Sequence, residues 1–117
     1  MTTLNLSKTE FQTQGLLEVV NNEWKVLSLE NGRSVYTQLE YEVGRKYIKV
    51  WSYLKDGNFD DARIKGRSCF MFIDKETGAC YKPASFKAPA KGIRFWIDQL
   101  VMYPEMVDPY GSFLYVR

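Results

Sequence analysis

A chain of 117 residues with 45% hydrophobic and 15% aromatic content has the length of one ordinary domain and enough apolar material for a packed core, which excludes a disordered chain. No run approaches the ~18 consecutive apolar residues of a membrane span, and Met1–Ser7 lacks a basic region leading into an apolar stretch, so neither a membrane protein nor a secretory signal is expected. The net charge of +2 hides an asymmetry: residues 1–44 carry three basic and six acidic side chains, residues 45–94 twelve and five, and residues 95–117 one and three.

Ser7-Lys8-Thr9-Glu10 fits a capping box, with Leu6 and Phe11 spaced for a hydrophobic staple, so a helix is expected to start there. Leu17, Val20, Trp24 and Leu27 continue at spacings of three and four, and Gly32 suits a left-handed helix stop. Residues 14–29 have a second reading. Asn31-Gly32 between two apolar runs is a hairpin signal, and Asn21-Asn22 disfavours a helix interior.

Val35, Thr37, Leu39, Tyr41 and Val43 alternate with polar residues, the period of a half-buried strand. Gly44-Arg45 turns the chain, and Tyr47–Leu54 returns as the second strand. A polar loop opens at Asp56-Gly57-Asn58 and runs to Gly66. Ser68–Ile73 and Ala79–Lys82 form a further hairpin about Asp74–Gly78. Pro83 and Pro89 break the next segment into loop. Ile93, Trp96, Ile97, Leu100 and Val101 then mark an amphipathic helix near 93–103, with Arg94 and Asp98 spaced as an i,i+4 pair and Pro104 as its end. Gly111–Val116 is either a last edge strand or a tail packed on the sheet. The fold class is α+β: an antiparallel sheet of three to five strands packed by an N-terminal helix and the helix near 93–103, in a single domain over residues 1–117.

The chemistry is narrowed first by what is missing. Histidine is absent, which removes the usual general base, the commonest metal ligand and the imidazole-based triads. Cys69 and Cys80 without histidine make no zinc site; they read as partly buried free thiols, with pairing across neighbouring strands left open. Asp56, Asn58 and Asp60 imitate the start of a calcium loop, but Arg67 stands where the bidentate glutamate belongs. No metal or cofactor is expected. Lys65–Phe72 is loosely like an RNA-recognition motif, yet Arg67 and Cys69 occupy the positions of the stacking aromatics. Catalysis is disfavoured, with Asp60, Asp61 and Cys69 as its candidates.

Two features suit an anionic partner. In the second strand Tyr47, Lys49, Trp51, Tyr53 and Lys55 share one face, while Ile48, Val50, Ser52 and Leu54 share the other. Rings interleaved with lysines are how single strands are held without base readout. The bland alternative is that a helix covers this face while the lysine stems reach outward. The second feature is the loop from Lys82 to Arg94, whose Lys82, Phe86, Lys87, Lys91 and Arg94 face no acidic residue between Glu76 and Asp98. Its bland alternative is a solvated basic loop.

The runs Gly44-Arg45-Lys46-Tyr47-Ile48-Lys49, Ile73-Asp74-Lys75-Glu76-Thr77-Gly78 after a phenylalanine-rich strand, and Tyr81-Lys82-Pro83-Ala84-Ser85-Phe86-Lys87-Ala88-Pro89-Ala90-Lys91-Gly92-Ile93-Arg94 together carry a resemblance. Over roughly residues 33–97 the chain resembles a family of small proteins of tailed bacteriophages, marine and cyanophage genomes included. The resemblance implies a phage protein in the cytoplasm of an infected bacterial host. It lends no activity and no functional residues. The leading expectation is a non-enzymatic accessory protein binding nucleic acid or another polyanion through Tyr47, Lys49, Trp51, Tyr53, Lys82, Phe86, Lys87, Lys91 and Arg94. The alternative is a protein–protein module, with a host or phage partner or a homo-oligomer.

Overall fold

A computed structural model describes residues 7–57, 62–63 and 66–115 of the chain. Helix α1 spans Lys8–Glu30, and Ser7 caps it: its backbone is extended and its Oγ accepts from the Glu10 N–H at 3.1 Å. The staple partner Leu6 lies outside the described residues, and Phe11 is exposed. At the other end Arg33 N–H donates to Ser28 O (2.9 Å) and Gly32 N–H to Leu29 O (3.0 Å), with Gly32 at φ +74°. That bond pair closes a helix in the Schellman manner. Asn31-Gly32 therefore ends α1 rather than turning a hairpin. Leu17 and Val20 of the expected stripe are buried, Trp24 packs partly, and Leu27 is exposed.

Strand β1 (Val35–Val43) turns back into β2 (Tyr47–Asp56). A two-residue strand β3 (Ala62–Arg63) pairs with the far end of β2. Strands β4 (Ser68–Asp74) and β5 (Ala79–Tyr81) follow, then β6 (Phe95–Trp96), giving the antiparallel order β1-β2-β4-β5-β6. The Asp74–Gly78 turn forms as expected, with Asp74 Oδ1 accepting from the N–H groups of Glu76 (2.9 Å) and Thr77 (3.1 Å). Asn58, Asp60, Asp61 and Lys65, which carried the calcium-like, carboxylate and RNA-recognition comparisons, lie outside the described residues.

The architecture is the α+β one expected, with two short strands added: β3 inside the expected polar loop, and β6 at the start of the expected second helix. Helix α2 spans only Ile97–Met102. Phe95 and Trp96 pair with Cys80 and Ala79 instead of forming its first turn, and Arg94 N–H donates to Cys80 O at 2.8 Å. The sheet edge satisfies those backbone groups before a helix can, so Ile93 and Trp96 stay exposed. Asp98 does not serve as the partner of Arg94; it accepts from the Gln12 side-chain amide and ties α2 to α1. After a 3₁₀ turn at Pro104–Met106 the chain packs as a tail, not a strand. A second turn, Ser112–Tyr115, buries Phe113 and Leu114, and Val116 lies outside the described residues.

One core joins these pieces. Leu16, Leu17 and Val20 of α1 and Ile97 and Leu100 of α2 meet Leu39, Ile48, Val50, Met71, Ile73 and Cys80 of the sheet. Burying each large apolar side chain contributes roughly 1.5–3 kcal/mol. The β2–β4 register passes from Val50↔Met71 to Trp51↔Cys69, so Phe70 is an extra residue. This bulge lets Phe70 and Met71, adjacent in sequence, both join the core. The free edge of β1 lies against α1, where Ser28 Oγ donates to Val35 O at 2.7 Å.

Candidate polyanion-binding face

Both helices cover the Ile48/Val50 side of the sheet, which leaves the other side of β2 to its own residues. Cross-strand pairing sets what lies there. Glu42 is opposite Lys49, Glu40 opposite Trp51, Gln38 opposite Tyr53, and on the β4 side Phe72 is opposite Lys49 and Cys69 opposite Trp51. The helix-covered alternative for this face is not what the fold builds. A layer of cations covers it.

The half around Trp51 and Tyr53 is closed, and its arginines are paired. Both rings are only 7% exposed. The Arg67 guanidinium lies 4.0 Å from the centre of the Trp51 ring, and Arg63 lies 4.0 Å from that of Tyr53. Glu40 holds both arginines, at 3.4 Å to Arg63 and 3.5 Å to Arg67, and Glu42 sits 3.8 Å from Arg67. Glu42 also accepts from the Trp51 indole N–H at 3.1 Å. Burial, then the Glu40 charge, raise the Tyr53 phenol above its ordinary pKa. Two arginines meet two glutamates, so the arginines offer an anion little net charge, and Lys55 Nζ also lies 5.8 Å from the Tyr53 ring centre. The expectation of Trp51 and Tyr53 as open stacking rings is corrected here: guanidinium groups already occupy that role.

The turn end is different. Gly44 N–H donates to Tyr47 O at 2.8 Å, closing the β1–β2 turn, and Lys75 Nζ donates to Gly44 O at 2.9 Å from the neighbouring β4–β5 turn. Tyr47 meets Phe72 edge-on at 5.7 Å and Tyr81 at 6.1 Å, while Lys46 Nζ lies 5.4 Å from the Tyr47 ring centre. The segment after β5 folds as a short arm: Pro83 bridges to Pro89, and Ala90 N–H donates to Lys82 O at 2.9 Å. Lys49 Nζ donates to Phe86 O, which pins the tip of the arm against the face. The Phe86 ring stays 59% exposed, with Lys87 Nζ 5.5 Å from its centre. Between turn and arm lies a cleft of about 300 Å³, lined by Arg45, Lys46, Lys49 and Lys87 with Tyr47 and Phe72, and with Glu42 as its one carboxylate. Among the described residues no carboxylate forms an ion pair with Arg45, Lys46, Lys49, Lys75 or Lys87.

The structure thus gathers Tyr47, Lys49, Trp51, Tyr53, Phe86 and Lys87 on one side. Lys82 leaves the group: it follows Tyr81 with the opposite direction and lies 4.8 Å from the Tyr115 ring of the tail. Lys91 is exposed on the return of the arm, and Arg94 is half-buried with its Nε unsatisfied among the described residues. Sequence reasoning missed Arg45, Lys46, Lys75, Arg63 and Arg67. The first three were within reach, because the β1–β2 and β4–β5 turns fall at the same end of an antiparallel sheet. The arginine lids were not, since stacking across strands leaves no local pattern.

The thiols have different surroundings. Cys80 is fully buried, and burial pushes its pKa well up. Burial also raises the Cys69 thiol, against a smaller lowering by the Lys49 charge. Both are free.

Fold and face together define an α+β protein with a helix-backed sheet whose other side is cation-covered, and among the described residues no helix is long and apolar enough to cross a membrane. The model of a protein family described as "Family of unknown function (DUF7717)" matches residues 3–116, and the chain belongs to that family. No curated protein and no solved structure matches it.

Proposed function

We propose that this protein is a non-enzymatic accessory protein of a bacteriophage, acting in the cytoplasm of the infected cell by binding single-stranded nucleic acid or a similar polyanion at the turn end of its sheet. The observation that carries this reading is the cluster of Arg45, Lys46, Lys49, Lys75 and Lys87, none of which forms an ion pair with a carboxylate among the described residues, set beside the exposed ring of Phe86. Cations meet phosphates while an open ring takes a base. These cations, spread over the two turns and the tip of the arm, could meet roughly three phosphates of an extended strand. Each phosphate neutralised on a single strand contributes about −0.7 to the slope of log affinity against log salt. Fluorescence anisotropy with a labelled thymidine oligomer is expected to give a slope near −2. Salt-independent binding, or none at low salt, defeats the reading.

A second reading has its own support. Phe11, Val19, Val26 and Leu29 on α1, Met102 at the end of α2, and Tyr103 and Tyr110 beyond it are exposed apolar side chains, such as anchor protein–protein contacts. Light scattering across a concentration series separates the two, since only this reading requires association without nucleic acid.

A further inference from the structure

The cleft at the turn end differs from a plain basic strip in three respects. It is bounded: Glu42 and the arginine–glutamate pairs lie on its inner side, while Arg45, Lys46 and Lys87 line it without an ion-pair partner among the described residues. It is small: about 300 Å³ is the lower end of the range for small-molecule sites and too little for a duplex. And next in sequence to the lining residue Lys87 stands a ring that is held out in water. Phe86 is 59% exposed on an arm stiffened by the Pro83–Pro89 bridge and moored by Lys49 to the Phe86 carbonyl. An apolar ring fixed in the open gains by being covered with another flat ring.

We infer that this cleft is a pocket for one nucleotide, with the phosphate among Arg45, Lys46 and Lys87 and the base stacked on Phe86. The inference rests on the polyanion reading of the same face and names its binding unit. Lys49 acts as a strut, because its ammonium already donates to the Phe86 carbonyl. Its charge still faces the cleft. A free nucleotide and one nucleotide of a single strand share this chemistry.

Isothermal titration of the full chain with inorganic phosphate, thymidine, thymidine monophosphate and a ten-residue thymidine oligomer separates the possibilities. Thymidine monophosphate is expected to saturate a single site about tenfold more tightly than phosphate, the factor expected when one base stacks on a ring. Phe86→Ala should erase that factor and leave phosphate binding intact, whereas Lys87→Ala should weaken both. Phe86 and Lys87 are exposed, and unchanged melting temperatures will verify that these variants fold. Equal affinity for phosphate and thymidine monophosphate, or a factor that survives Phe86→Ala, overturns the pocket. An oligomer that binds while the monophosphate does not saturate also overturns it but leaves the polyanion face standing. Monophosphate binding that the oligomer cannot displace keeps the pocket, assigns it to free nucleotides and removes the strand reading. If neither ligand binds, both fall.

Discussion

The side chain of Asn21 completes the outer edge of the sheet by gripping Leu39: its Nδ2 donates to Leu39 O at 2.9 Å and its Oδ1 accepts from Leu39 N–H at 2.8 Å. One carboxamide thus plays the part of the missing neighbouring strand, and an unpaired strand edge is a template for aggregation. Asn21→Ala should lower stability by about 1–3 kcal/mol, the cost of stranding a partly buried donor and acceptor. Asn22→Ala, on the exposed side of the same helix, should be neutral or slightly stabilising. Urea midpoints for the pair measure the contrast, and equal midpoints would dismiss the edge role.

Two glycines should respond in opposite directions. Gly78 has φ +80°, its carbonyl accepts from Ile97 N–H at 2.7 Å, and an added Cβ would lie 2.7 Å from Ile97 Cγ2. Gly78→Ala combines left-handed strain with a clash in the core and should cost about 2–4 kcal/mol. Gly15 sits inside α1 with nothing within 4 Å of an added Cβ. Gly15→Ala should stabilise by about 0.5–1 kcal/mol through helix propensity. Thermal melts of both variants test the pair.

Glu40 pairs with Arg63 and shares Arg67 with Glu42, so two carboxylates cover two arginines that would otherwise face an anion. Glu40→Gln uncovers about one positive charge, since Glu42 still partners Arg67, and should strengthen oligonucleotide binding and steepen the salt slope by about −0.7. These ion pairs are partly exposed, so the loss in stability should stay within about 1 kcal/mol. Anisotropy titrations at several salt concentrations read the change. Weaker binding than wild type would contradict the charge-balance account.

The thiols should react in order. Cys69 is half-buried and Cys80 fully so, with both thiols raised by burial. Alkylation of the native protein at pH 8 should label Cys69 slowly and Cys80 only on unfolding, as read by peptide mass. Lys49→Ala should slow Cys69 further, because it removes the charge that favours the thiolate.

Asp108 gives the tail an acid limit. Burial pushes its pKa up, but hydrogen bonds from Ser112, Phe113 and Tyr110 outweigh that and hold it below the ordinary value. A depressed folded-state pKa means stabilisation that is complete above the unfolded value near 4 and lost as pH falls through the lower, folded one. Asp108→Asn should be less stable than wild type by a constant margin from pH 8 to about 5, narrowing only below about pH 4. Urea melts at stepped pH measure the margin. A gap that shrinks near neutrality would refute the assignment.

Period and punctuation made most of the fold legible. The Ser7 cap, the alternation from Val35 to Val43 and the Gly44 and Gly78 turns are local signals, and the elements follow them. Residues 14–29 were ambiguous because Asn21 obeys a non-local demand: it weakens the helix it belongs to and serves the strand beside it. Phe95-Trp96 misread as helix for a related reason, since Ala79 and Cys80 offered sheet partners that no helical period reveals. In the site, alternation alone predicted the shared face of Tyr47, Lys49, Trp51 and Tyr53. Whether its rings were open depended on Arg63 and Arg67, ten or more residues away.

The segregation of charge also bears on encounter. Uncompensated cations sit at one end of the sheet, while Glu18, Glu23 and Glu30 are exposed on the helix behind its opposite side. Charge separated in this way is expected to orient a molecule in the field of a highly charged target before contact. Ionic strength would then govern mainly how quickly the two meet and in which orientation, and only secondarily how long they remain together.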